Sequence, residues 1–75
     1  MPRERFEREL QQLLDQVLIL GSMVDQAMIE AMDALKRQDH TAARRIFDND
    51  VRINEKRYML ENTCITIIAT QQPMA

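Results

Sequence analysis

Asp50, Asn54, Arg57 and Glu61 are the residues of this sequence whose types and spacing could do chemistry. At i, i+4, i+7 and i+11 they fall in one row of a helix, a polar ridge along an otherwise apolar surface. Asp50 and Asn54 offer two oxygen ligands pointing in nearly the same direction, and Glu61 follows about two turns further on. Such a row can hold part of a hard-cation or carboxylate-bridged metal site. Facing helices would have to complete it, because such an ion takes about six oxygen ligands. The competing reading needs no metal: Asp50 beside Arg57, and Arg57 beside Glu61, form an intrahelical charge network that contributes little when exposed.

Other chemistry is poorly supplied. Nucleophilic catalysis needs a positioned base, and His40, the one histidine, falls in a turn far along the chain from Cys64. A solvated or capping role suits His40 better than metal ligation, since no second histidine can share an ion. Cys64 lies on an apolar stripe, where a small buried thiol is expected in preference to a reactive one. One glycine cannot build a phosphate-cradling loop. The expectation is a protein that is not an enzyme.

The elements that must carry the ridge follow from composition and periodicity. Seventy-five residues with 45% hydrophobic and 29% charged side chains make at most one small domain, rich in helix formers. The spacing predicts an all-α fold. Phe6, Leu10, Leu13, Leu14, Val17, Leu20, Val24, Ala27, Met28, Ala31 and Leu35 keep a three-four alternation, which gives one long helix over about 3–37, roughly 50 Å long. Gly21 interrupts its propensity, and a close approach by a facing helix is the expected compensation in preference to a bend. Lys36 and Arg37 mark the stop, and Asp39 or Thr41 can cap the next helix. A second helix over about 40–71 ends near Gln72, ahead of Pro73. So short a connection makes the pair a long antiparallel hairpin.

Helix two carries two apolar stripes, Ile46, Ile53, Leu60, Cys64 and Ile67 in one, and Phe47, Val51, Tyr58, Ile65 and Ile68 in the other. Helix one has a second apolar set at Leu18, Met28, Ile29 and Met32. One partner helix cannot cover both sets, so a third helix or a second chain is expected, with homo-oligomerisation as one outcome. The net charge of −2 comes from interleaved acids and bases and leaves no footprint for nucleic acid. The longest apolar run, Val17 to Leu20, is far short of the ~20 residues a membrane span needs. With a lone cysteine, the expectation is a cytoplasmic protein without membrane insertion.

The run of features from the N-terminus onward resembles the PhoU family of phosphate-transport accessory proteins. They are the arginine-rich opening turn with Phe6 and Leu10, LGSMVDQAMIEAMDALKRQD at 20–39, Asp50-x-x-Ile53-Asn54, and Glu61 followed by Cys64 and IIATQQP at 67–73. Gln72–Pro73 with Ala75 is similar to the family's junction into a third helix. The resemblance implies that this chain is two helices of a three-helix bundle, one partial domain over 1–75, in a protein built from two such repeats. It implies a negative regulator of phosphate-starvation signalling, a cytoplasmic adaptor whose partners are a phosphate ABC transporter subunit and a sensor histidine kinase. It further implies an acidic metal-cluster motif, with Asp50 on its first position and Asn54, where the family has Asp, on its last. No tight metal binding is expected of these residues alone; a divalent or iron-type metal would belong to the full-length protein. The alternative is a structural helical oligomerisation module with no phosphate role.

Overall fold

The structure, a computed structural model, describes residues 2–70. Two helices, α1 (Pro2–Arg37) and α2 (His40–Thr70), fold back on each other as an antiparallel hairpin, a rod of 59 × 16 × 15 Å. The fold is all-α, as the periodicity predicts, and the connection between the helices falls at 38–39. The expected end of helix two near Gln72 and the Gln72–Pro73–Ala75 junction lie outside the described residues.

A seven-residue repeat holds the pair together. Phe6, Leu13, Leu20, Ala27 and Ala34 on α1 are seven apart, as are Ile46, Ile53, Leu60 and Ile67 on α2, and all are buried or half-buried. That period keeps one edge of each helix turned toward its partner, as in coiled-coil packing. Of the two stripes of α2, the one through Ile53 and Leu60 is therefore the core, with Cys64 half-buried within it. The stripe of Phe47, Val51, Tyr58, Ile65 and Ile68 is exposed. The core among the described residues consists of Ala34, Ala42, Ile53 and Leu60. So small a core makes an isolated hairpin marginal.

The turn is defined by backbone chemistry. Asp39 N–H donates to the Ala34 carbonyl at 2.9 Å and Gln38 N–H to that of Leu35 at 3.1 Å, the paired bonds of a Schellman ending, with Gln38 left-handed at φ 53°. Asp39 then caps α2: its Oδ1 accepts from the Ala42 N–H at 3.0 Å. Arg37 reaches both Asp33, at 2.8 Å, and Asp39, at 3.4 Å. Asp39 and not Thr41 is therefore the cap, and His40 is the exposed first residue of α2.

The Ala42 N–H, helped by the Arg37 charge and opposed by partial burial, holds the Asp39 carboxyl below its ordinary range. A depressed carboxylate stabilises the fold above its unfolded pKa, and that contribution is lost as pH falls through the folded value. Acidification through the ordinary carboxylate range is thus expected to lower the melting temperature. Thermal melts of Asp39→Ala should begin lower at neutral pH and lose less on acidification; an unchanged acid response would contradict the capping account.

Gly21 is open within the hairpin. A Cβ built there meets nothing within 4 Å, so neither α1 nor α2 makes the close approach anticipated from sequence, which is left to a helix from outside the pair. The seam passes through its neighbour Leu20, and one residue along a helix is a rotation of about 100° away from it. Gly21→Ala should therefore stabilise the hairpin by up to about 1 kcal/mol, read in urea unfolding. A destabilised variant would show that the position is not open.

Candidate functional site

The two sides of the hairpin differ in chemistry. On one side, Val24, Met28, Ala31 and Leu35 of α1 and Ala43, Phe47 and Asp50 of α2 border a groove of about 690 Å³ near the turn, floored by Ala27, Ala34, Ile46 and Ile53. Phe47 is 69% exposed and Leu35 73%, so the walls of this groove are apolar and open to water. The other side, toward the open end, holds a groove of similar volume, about 660 Å³, walled by Glu9, Gln12, Gln16, Lys56, Asn62, Thr63 and Thr66 over Leu13, Met59, Leu60 and Ile67. There Lys56 Nζ donates to Gln16 Oε1 at 2.7 Å, a polar tie between the helices.

By helical periodicity the groove side continues toward the open end of the hairpin. On α1 the row runs through Gly21, Val17, Leu14 and Leu10, and on α2 through Asn54, Arg57, Glu61, Ile65 and Ile68. The polar ridge thus lies on the same side as the unpartnered apolar row of α1. Gly21 faces outward from that row, where an arriving helix could come close to the α1 backbone.

Within the ridge, Asn54 Nδ2 donates to Asp50 Oδ2 at 3.4 Å, and Arg57 Nη1 donates to Glu61 Oε1 at 2.6 Å. Arg57 therefore pairs with Glu61, and the expected Asp50–Arg57 contact is not made. One turn separates Arg57 from Glu61, whereas Asp50 lies seven residues away, about 10 Å along the axis. Glu61 raises the Arg57 guanidinium pKa above its ordinary value, first by charge and then by the hydrogen bond. The guanidinium also lies 4.5 Å from the Tyr58 ring centroid, a cation–π contact.

These residues fit a metal poorly on their own. Asp50 and Asn54 supply two adjoining oxygen atoms, Glu61 is engaged by an arginine, and among the described residues no three His, Cys, Asp or Glu side chains are grouped to hold an ion. A hard cation wants about six oxygen ligands, so any such centre draws the rest from outside these helices. Calorimetric titration of Mg²⁺ or Mn²⁺ into the chain should give no tight binding. Stoichiometric submicromolar binding abolished by Asp50→Asn would overturn that expectation.

The groove walls were only partly legible in sequence. Val17, Val24, Ala31 and Leu35 read as one stripe with Leu13, Leu20 and Ala27, and the structure divides that stripe into a seam and a neighbouring open row. The strict sevenfold spacing of the seam residues is the signal that separates the two. Among the described residues no helix is long and apolar enough to cross a membrane.

Known proteins with related sequences align over almost the whole of this chain. The family model described as the PhoU domain matches residues 17–75. The phosphate-specific transport system accessory protein PhoU of Escherichia coli (strain K12) is 34% identical over 71 residues, 95% of this chain and 30% of that protein. The protein of the same name from Edwardsiella tarda is also 34% identical over 71 residues, covering 95% of this chain and 29% of its own. A PhoU homolog of Clostridium acetobutylicum is 36% identical over 74 residues, 99% of this chain and 34% of its own length. The chain spans about a third of the length of the curated relatives it matches. No solved structure matches it.

Proposed function

The chain belongs to the PhoU domain family, and from that premise we propose that it is a regulatory adaptor of phosphate uptake that acts through protein–protein contacts and not through catalysis. Its relatives' names place them in a phosphate-specific transport system. The observation that carries the mode of action is the asymmetry of the hairpin: one groove is walled largely by polar side chains and bridged by Lys56 and Gln16, and the other is walled by apolar ones and continued by a polar ridge. A helix laid into that groove buries Phe47, Val24 and Met28, and the ridge sets its register by charge. In the complete protein the first occupant is a third helix that closes a bundle. The remaining helical surface meets a phosphate transporter subunit or a sensor kinase in the cytoplasm, and holds starvation genes down when phosphate is plentiful. A metal on this surface would take Asp50 as one ligand, with most of its shell supplied by other helices.

The rival is a helical oligomerisation module with no phosphate role, and the exposed second stripe of α2 is compatible with it. Purification of the tagged protein from phosphate-rich cells separates the two. The adaptor reading expects a phosphate-transporter subunit or a sensor kinase to be recovered with it, identified by mass spectrometry. Recovery of the protein with copies of itself alone would favour the rival.

A further inference from the structure

The outer side of α1, half a turn away from the seam, is a separate surface from the groove. Asp25, Ile29, Met32 and Lys36 lie along it in steps of four, three and four, and all four are exposed. Ile29 is 64% and Met32 63% exposed, on a helix that already turns apolar residues toward α2 and toward the groove. Asp25 and Lys36 make no ion pair among the described residues, although Asp33 and Arg37 beside them do. No lysine or arginine lies between Arg8 and Lys36, so Lys36 is the one cation on this row within reach of Asp25 of a neighbouring helix.

The row is palindromic. Reversed, it has the same spacing, apolar residues fall on apolar residues, and the acid falls on the base. That is the condition for a helix face to pack against a copy of itself about a two-fold axis, where each contact occurs twice. We propose that a second copy of this chain docks here, α1 against α1 and antiparallel, with the axis passing between Ile29 and Met32. Ile29 of each copy packs on Met32 of the other, and Asp25 of each meets Lys36 of the other at the two ends. The adaptable methionine suits a contact of modest area. An unrelated partner helix would have no reason to require a row that is symmetric in hydrophobicity and antisymmetric in charge.

The test is charge exchange, read by sedimentation in the wild-type background and again with Phe47→Glu, which puts a charge in the groove. Asp25→Lys sets lysines against lysines at both ends of the contact, and Lys36→Asp sets acids against acids. Each alone should weaken the association step by about tenfold or more. Mixing the two variants should restore it, because one chain then carries lysine at both ends of the row and the other carries aspartate at both. Circular dichroism on each variant checks that the helices persist, and both sites are exposed, so neither swap touches the core. Association indifferent to both swaps, a pair of variants that stays apart on mixing, or a wild-type chain that remains monomeric would each overturn the proposal. Weakening without rescue is the outcome a different partner helix, or a different register, would give.

Discussion

Ile53→Asp is expected to abolish cooperative thermal unfolding of the hairpin. Ile53 is 6% exposed at the middle of the seam, where it packs against α1 and floors the groove. A carboxylate there loses its water and gains no cation, a cost on the order of 4 kcal/mol or more. The core of the described residues is four side chains, two of them alanine, so little else resists that loss. The helices would then stand alone, and single helices in water depend on tertiary packing for most of their stability. Circular dichroism should show a lower helical signal and a broad, featureless melt. A sharp transition near that of the wild type would mean that the seam does not hold the hairpin together.

Phe47→Glu should have the opposite signature: an intact hairpin that no longer accepts a partner in its groove. Phe47 stands 69% exposed on the wall of the groove, so the substitution removes little of what holds the hairpin together. Once a helix covers the groove, the same glutamate becomes a buried unpaired charge and costs several kcal/mol of binding. Ile68→Glu, at the far end of the same side, is expected to act in the same way. Sedimentation should show the loss of the association step made through the groove while the helical signal is kept. An equal loss of folding would place Phe47 in the core and contradict the division between seam and groove.

The sequence carried most of this architecture because both helices write it twice, in the apolar stripes and in the punctuation between them. Lys36, Arg37 and Asp39 marked a two-residue turn, and the structure shows Asp39 capping α2 there. The stripe of Ile53 and Leu60 could be told from that of Phe47 and Ile68 only once α1 was in place. Gly21 marks a close approach that the hairpin itself does not make, because a glycine records that a side chain is absent and not which neighbour fills the space. The ridge was legible as a row, but its pairing was not. Arg57 could reach toward either end, and the nearer acid one turn away holds it. The tie from Lys56 to Gln16 depends on the register between two helices forty residues apart in sequence, which no local pattern specifies.

The central claim, that this chain regulates phosphate uptake as part of a bundle closed on its apolar groove and not through its polar side, is tested most directly by a phosphate-starvation promoter reporter in cells lacking the gene. With phosphate plentiful, loss of the gene should switch the reporter on, and the wild-type gene should silence it. Thr63→Glu, on the polar side, should silence it as well. Phe47→Glu should fail to silence it although the protein accumulates to the same level. A reporter indifferent to loss of the gene, or one silenced equally by the groove and polar-side variants, would contradict the account.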